Sequence, residues 1–255
     1  MKQLTLYVDK QSFVHAVDPI TKLFYVAFAI LTSMLVPTAY AGVICALLSL
    51  SLLCLAKVIK NASPVFLFIG FVLFTVVVIQ GLFGVNNQTE AFRLSGLIFY
   101  REGLITGAKI ILRVVNIVSA FLILTLTTKA SDLVEDLVRA GLSPRIGYVI
   151  TSVFQIIPQM ISSADIIMDA QRSRGMETEG GLMVRMKAFI PLIGPVVLDS
   201  FMSTKERAMA LEARAFSAPN KKTFLRERPA YTYAAKLRGA FVVLTLAALI
   251  WRLAA

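Results

Sequence analysis

Long runs of apolar residues are the feature that most constrains this chain. Three runs at 23–36, 39–56 and 64–83 are separated by short turns, a fourth covers 103–128 and a last one covers 237–253. A helix needs about 20 apolar residues to cross a bilayer, and its backbone hydrogen bonds are then satisfied internally. The runs therefore predict an all-α integral membrane protein with about five transmembrane helices.

The stretch between the fourth and the last run is polar. Residues 129–238 contain 27 of the chain's 41 Asp, Glu, Lys and Arg residues, although their apolar residues still recur with a helical period. We therefore divide the chain into a membrane domain with four spans (1–128), a segment of long kinked helices (129–236) and a final transmembrane helix (237–255).

Loop charges predict the orientation. Lys57, Lys60 and Lys129 follow the second and fourth runs and the 129–236 segment is net basic, whereas the 84–102 loop balances two arginines against two glutamates. The positive-inside rule then places the N-terminus and residues 129–236 in the cytoplasm of a multi-pass protein of the plasma (inner) membrane. The net charge of +11 is typical of contact with anionic lipid, and without a basic and aromatic platform it does not indicate nucleic acid.

Start and stop signals divide the polar segment into helices. Ser131 is predicted to cap a short amphipathic helix that stops before Gly141. A second helix is predicted to begin at Ser143 and to run to Arg174, with a kink at Pro158. The residue types at both ends of each helix agree with known capping preferences.

A third helix is predicted from near Leu182 to about Phe216. Pro191, Gly194 and Pro195 lie inside it, and because proline lacks a backbone N–H we expect the helix to be interrupted there. The polar segment then consists of two long, broken helices with separate ends.

The two long helices end in related tripeptides, which are Ser173-Arg174-Gly175 and Ala213-Arg214-Ala215. Small neighbours allow another protein to approach the backbone, and a guanidinium pairs with a carboxylate or with carbonyls at a helix end. A single arginine in this place usually complements the helix macrodipole. Its duplication at two helix ends favours docking, so these six residues are the candidate site.

Further motifs follow one another along the chain. They are Asp18-Pro19-Ile20-Thr21-Lys22-Leu23, Thr127-Thr128 before Asp132-Leu133, Gly141-Leu142-Ser143-Pro144, Ile157-Pro158, and the stretches 171–175 and 208–216. In order and spacing they resemble the transmembrane T components of energy-coupling factor (ECF) importers, a family that includes the membrane subunits of cobalt and nickel uptake systems. The chain departs from the family pattern at Ile20, Gln155, Ser173 and Ala215, where arginine, arginine, alanine and glycine are usual.

The resemblance implies a non-catalytic subunit of an ATP-driven vitamin or metal importer. Two cytoplasmic ATPase subunits, which bind ATP and Mg²⁺, would each receive one arginine-tipped helix, through Arg174 or Arg214. A separate small membrane subunit, the S component, would bind the substrate and rest on the same helices. The chain itself then needs no cofactor, and the substrate is set by the S component.

Two other functions are compatible with parts of the sequence. One is the permease of a conventional ABC transporter, which contacts its ATPase through a single coupling loop. The other is a membrane prenyl- or phosphotransferase in which Asp165 and Asp169, one helical turn apart, bind Mg²⁺; solvation or pairing with nearby arginines is the ordinary role of such a pair. The sequence has no G-x-x-x-x-G-K-[ST] motif, so it does not predict a P-loop. It has a single histidine, so it does not predict a histidine-based metal site.

Two further groups of residues allow two interpretations each. Lys109 and Arg113, one turn apart in the fourth run, are either functional cations inside the membrane or residues at a water-exposed helix start. Methionines are enriched around the polar segment and provide either an adaptable surface for different S components or ordinary core filling; they are Met168, Met176, Met183, Met186, Met202 and Met209.

Overall fold

The computed structural model describes residues 7–254 except 11, 37, 85–87, 95–96, 177–180, 219–222 and 225–232. These residues form eight helices and a two-stranded antiparallel sheet. The helices are α1 (Pro19–Leu35), α2 (Ala39–Leu55), α3 (Ile59–Phe83), α4 (Arg101–Thr127), α5 (Ala130–Arg139), α6 (Pro144–Ser173), α7 (Leu182–Ala213) and α8 (Ala234–Ala254); the strands are β1 (Glu90–Leu94) and β2 (Leu97–Tyr100). The predicted all-α membrane fold is confirmed.

Four described helices, α3, α4, α6 and α8, are long and apolar enough to cross a bilayer. Helices α1 and α2 are also apolar but have 17 residues each, which corresponds to about 26 Å. Helix α6 meets the criterion although it was predicted as part of the polar segment. Its charged residues lie near its two ends and leave 146–164 without any.

The chain folds into two compact units. Among the described residues, the spanning unit comprises residues 7–133 and 233–254, and the polar unit comprises residues 134–224. In the spanning unit α4 packs against α1, α2 and α3, and α8 packs against α1. The side chains of Ala29, Ala62 and Ala120 are fully or almost fully buried there, since small residues let helices approach closely in a membrane protein.

The connection between α3 and α4 was predicted as a loop and is a β-hairpin instead. Arg93 pairs with Ile98 across the two strands, and the rings of Phe92 and Phe99 stack with centroids 4.8 Å apart. Aromatic and branched residues on either side of a Ser-Gly pair in the sequence are a hairpin signal that the neighbouring apolar runs obscured.

Helix ends in and near the polar unit agree with the predictions in part. Ser143 is the N-cap residue of α6 and Pro144 is its first residue, as predicted. The prediction that Ser131 caps α5 is wrong, because the helix begins at Ala130. The Leu133 N–H already bonds to the Lys129 carbonyl, so the turn starts two residues before the serine.

The predicted interruption of the third helix is also wrong, because α7 is one continuous helix through Pro191 and Pro195. A proline removes a single N–H from the backbone ladder. The two prolines lie four residues apart, so N–H groups between and around them remain available to hold the helix.

Candidate docking site at two helix ends

The first candidate tripeptide forms a well-defined helix C-terminus. Helix α6 ends at Ser173, Arg174 is its C-cap residue and Gly175 adopts a left-handed conformation with φ of +88°. The Gly175 N–H donates to the Arg172 carbonyl at 2.9 Å, and the Met176 N–H donates to the Gln171 carbonyl at 3.1 Å. This pair of bonds is the Schellman motif, which satisfies carbonyls that a helix end otherwise leaves unpaired.

The second tripeptide forms the same structure. Helix α7 ends at Ala213 with Arg214 as its C-cap residue, and Ala215 has a φ of +52°. Its N–H donates to the Glu212 carbonyl at 2.9 Å, while the next N–H, that of Phe216, donates to the carbonyl five residues earlier at 3.0 Å. The two arginines therefore occupy equivalent positions at the ends of two long helices.

Both tripeptides are accessible to another protein. All six residues are exposed, and a Cβ atom added at Gly175 meets nothing within 4 Å. Within the described residues neither the Arg174 nor the Arg214 guanidinium has a hydrogen bond or an ion pair. Their donors are available to an external acceptor.

Other arginines of the polar unit bind within it. Arg139 forms an ion pair with Glu135 on α5, and Arg207 donates to Gln159 Oε1 at 2.7 Å. Arg139 and Arg207 thus use their guanidinium groups inside the polar unit, unlike the arginines at the two helix ends.

Helices α6 and α7 contact each other well before these ends. Gln159 on α6 accepts the hydrogen bond from Arg207 and lies 3.4 Å from Ser203 Oγ on α7. At 1.5 Å per residue, about 22 Å of α6 separates Gln159 from Arg174, and about 16 Å of α7 separates Ser203 from Arg214. Each end is therefore joined to the common contact by an uninterrupted stretch of helix.

The entry motif holds three helices of the spanning unit together. Asp18 is fully buried; it accepts a hydrogen bond from Thr21 at 3.2 Å and forms an ion pair with Arg238 of α8. Lys22 Nζ donates to the Thr127 carbonyl at the end of α4 at 3.1 Å. The ends of α1, α4 and α8 thus meet in one polar cluster, which we call the Asp18 cluster.

Sequence reasoning did not single out Arg238. It lies 220 positions from Asp18, and no local pattern joins residues at that separation. The usable signal was a cation in the first turn of the last apolar run, where a membrane helix needs a partner for it.

The two candidate aspartates of α6 and the methionines of α7 lie on the surface of the polar unit. Asp165 and Asp169 are exposed, and the Asp169 carboxylate lies 3.7 Å from Arg172. No group of three or more His, Cys, Asp or Glu residues that could hold a metal ion occurs in the described part of the chain. The α7 methionines are well exposed and do not fill a core of the polar unit; they are Met183, Met186, Met202 and Met209.

Comparison with known proteins gives consistent matches. A family model described as "Cobalt transport protein" (CbiQ) matches residues 10–224. Proteins named energy-coupling factor transporter transmembrane protein EcfT are similar over most of their length. That of Staphylococcus aureus is 30% identical over 238 residues, with 87% of this chain and 86% of that protein covered; that of Heliobacterium modesticaldum is 32% identical over 270 residues, with 96% and 98% covered; that of Lactococcus lactis is 29% identical over 265 residues, with 96% of each covered.

Proposed function

The chain belongs to the CbiQ family of cobalt transport proteins, and from this we propose that it is the transmembrane scaffold subunit of an ECF-type importer. In this proposal it transmits conformational changes of two cytoplasmic ATPase subunits to a separate S component that binds a vitamin or a metal ion. It catalyses no reaction itself. ATP and Mg²⁺ are bound by the ATPase subunits, and this chain holds no cofactor.

The equivalent geometry of the two helix ends carries this proposal. Each of α6 and α7 presents a C-cap arginine that is exposed and has no partner in the described part of the chain. An arginine of this kind pairs bidentately with a carboxylate or caps the carbonyls of another helix. Two helix ends of the same structure suit two ATPase subunits of the same fold. In the proposal Arg174 binds one ATPase subunit and Arg214 binds the other.

The lengths of α6 and α7 support the coupling step. Closure of the ATPase pair on ATP moves the two arginines, and each helix carries the movement to the contact at Gln159. Both helices also expose large apolar side chains, among them Val149, Ile166, Ile190 and Phe201. An exposed apolar surface of this extent requires a membrane or another subunit to cover it, and we assign the S component to it.

The orientation follows from the docking proposal. ATPases that use cellular ATP lie in the cytoplasm, so the polar unit and the N-terminus lie there too. Lys10, Lys57, Lys60 and Lys129 are then on the cytoplasmic side of a plasma membrane protein, as the positive-inside rule requires.

The test is co-purification of the tagged chain from its native membranes with each arginine reversed in charge. Arg174→Glu and Arg214→Glu are each expected to reduce the recovered ATPase at least 30-fold per docking point, because breaking a buried interfacial charge pair costs roughly 2–5 kcal/mol. The double variant is expected to recover none. Arg145→Glu and Lys205→Glu are matched controls, since both residues are exposed on the same helices and lie away from the C-terminal ends that carry Arg174 and Arg214.

Three outcomes oppose the proposal in different ways. Normal uptake and ATPase recovery in the double variant remove the docking claim. Complete loss on reversal of only one arginine, with no effect of the other, indicates a single coupling loop as in a conventional ABC permease. Loss of all activity in Asp165→Asn, with assembly intact, indicates an enzyme that depends on the two aspartates.

A further inference from the structure

Lys109 and Arg113 lie where the α1–α2 hairpin ends against α4. Arg113 Nε donates to the Ser33 carbonyl of α1 at 2.8 Å, two residues before that helix ends at Leu35. On the other side of the turn, a Cβ added at Gly42 of α2 lies 3.6 Å from Leu112. The connection between α1 and α2 is therefore level with these two cations, and α4 continues past it.

Distances along the helices place the two cations at a bilayer boundary. The Asp18 cluster marks the opposite end of the unit, where Lys22 bonds to the carbonyl of Thr127. Arg113 and Lys109 precede Thr127 by 14 and 18 residues of α4, or about 21 and 27 Å, against a hydrocarbon thickness of about 30 Å. Lys109 thus lies about 3 Å inside the edge of the hydrocarbon and Arg113 about 9 Å inside it, both on the far side of the midplane from the Asp18 cluster.

Helix α8 gives an independent estimate of the same boundary. It starts beside α1, with Arg238 on Asp18 and Phe241 against Tyr25 and Phe28. Fourteen residues after Arg238, or about 21 Å of helix, come Arg252 and the exposed Trp251. Tryptophan and arginine at one end of an apolar helix are typical of the lipid headgroup region.

Among the described residues, no carboxylate forms an ion pair with either cation. Both side chains are exposed. Residues 19–89 contain no Asp or Glu, which covers all of α1, α2 and α3, and α8 contains none either. Glu102 is the single acid of α4, and its carboxylate accepts from the Thr89 N–H at 3.2 Å.

We infer that Lys109 and Arg113 bind the phosphate group of an anionic phospholipid, in the leaflet opposite to the Asp18 cluster. Lipid phosphates lie just outside the hydrocarbon edge, and long Lys and Arg side chains that start a few ångströms inside that edge can place their charged groups near them. Arg113 uses Nε for Ser33 and has its other N–H groups for phosphate oxygens, which a guanidinium binds bidentately. Exposed apolar side chains at the same ends of α1 and α2, Met34, Tyr40 and Ile44, provide a surface for the acyl chains.

This site goes beyond the proposed function and does not depend on it. It uses neither helix end of the polar unit and requires only that the spanning unit crosses a bilayer. Of the two interpretations of Lys109 and Arg113 given by the sequence, the site corresponds to functional cations, which here bind a ligand at the membrane boundary.

The test measures lipid retained by the purified full-length chain with native mass spectrometry, using phosphatidylglycerol and phosphatidylcholine of the same acyl composition. The unaltered chain is expected to retain phosphatidylglycerol preferentially. Each cation near an anionic headgroup contributes about fivefold, so Lys109→Gln is expected to lower the preference about fivefold and the double variant with Arg113→Gln about 25-fold. The control is Lys57→Gln with Lys60→Gln, which removes two exposed lysines at the other end of the unit.

Lys109→Gln keeps the test valid if Arg113→Gln fails to fold, since Lys109 is exposed and has no hydrogen bond to another described element. An unchanged preference in Lys109→Gln and in the double variant overturns the site. An equal loss in the lysine control also overturns it, because binding is then diffuse. Displacement of the lipid by millimolar inorganic phosphate overturns the lipid assignment. If the chain binds phosphatidylglycerol only when a partner subunit is present, the two cations belong to that interface and the site proposed here is overturned.

Discussion

The left-handed residues at the two helix ends predict opposite effects of one glycine–alanine exchange. Gly175 and Ala215 occupy the same position of the Schellman motif, with φ of +88° and +52°. An L-residue with a side chain meets its own backbone in this conformation, and glycine does not. Gly175→Ala should therefore loosen the end of α6, and Ala215→Gly should tighten the end of α7.

The magnitude follows from two opposing contributions. The left-handed conformation costs a residue with a Cβ about 1–2 kcal/mol, while glycine loses about 0.4–1 kcal/mol more than alanine through the entropy of the unfolded chain. Nothing lies within 4 Å of a Cβ at Gly175, so no steric contact adds to this. The net effect is about 0.5–1 kcal/mol in each direction, or about a twofold to fivefold change in local opening.

Hydrogen–deuterium exchange reads this opening directly at the amides of Met176 and Phe216, which donate the longer bond of each motif. Exchange at Met176 should be about twofold to fivefold faster in Gly175→Ala, and exchange at Phe216 slower by the same factor in Ala215→Gly. Gly181→Ala is the control, because Gly181 has an ordinary φ of −64° and open space around it. A change of the same sign in both variants refutes the argument from backbone conformation.

Three further predictions concern stability. Arg238→Met removes the guanidinium that forms an ion pair with the buried Asp18 carboxylate and should cost about 3–5 kcal/mol in the free energy of unfolding. Gly147→Ala places a Cβ 2.2 Å from Val138 Cγ2 and should cost about 1–3 kcal/mol, which Val138→Ala recovers in part. Burial lowers the pKa of the His15 imidazole, so the folded chain binds fewer protons than the unfolded one, and the thermal midpoint should fall as the pH drops below about 6.5 and through the folded pKa.

Each of these predictions has its own control and its own refutation. Lys236→Met removes an exposed cation from the same turn of α8 and should be nearly neutral; a loss as large as that of Arg238→Met would show that helix charge alone matters. For Gly147, equal costs with and without Val138→Ala would mean that the contact is not the cause. His15→Gln should flatten the pH dependence, and a midpoint that rises on acidification would contradict the role of burial.

Local signals in the sequence predicted most of the helices. Caps and stops act within one turn, so the start of α6 at Ser143 and its end near Gly175 followed from a few residues. Apolar runs predicted α1 to α4 and α8, because hydrophobicity along a continuous segment is also a local signal. The two arginine-tipped ends were also predictable, because each is a short pattern at the end of a strongly periodic segment.

Features that depend on distant residues were not predictable in this way. Burial of Asp18 depends on Arg238 at the far end of the chain, and the continuity of α7 through two prolines depends on the whole helix. The left-handed φ of Ala215 is a third case, because alanine favours continuation of a helix. The neighbouring backbone bonds impose this conformation, and the residue type gives no sign of it.

Photo-crosslinking within the assembled membrane complex can show whether both helix ends contact ATPase subunits. A photoreactive amino acid is placed at Ser173 in one variant and at Ala213 in another, both exposed beside their arginines, with Tyr40 as an exposed control in the spanning unit. If both helix ends dock, an adduct with a nucleotide-binding ATPase is expected from Ser173 and from Ala213 separately, and none from Tyr40. Adducts with lipid alone, or an ATPase adduct from only one of the two ends, would contradict docking at both ends.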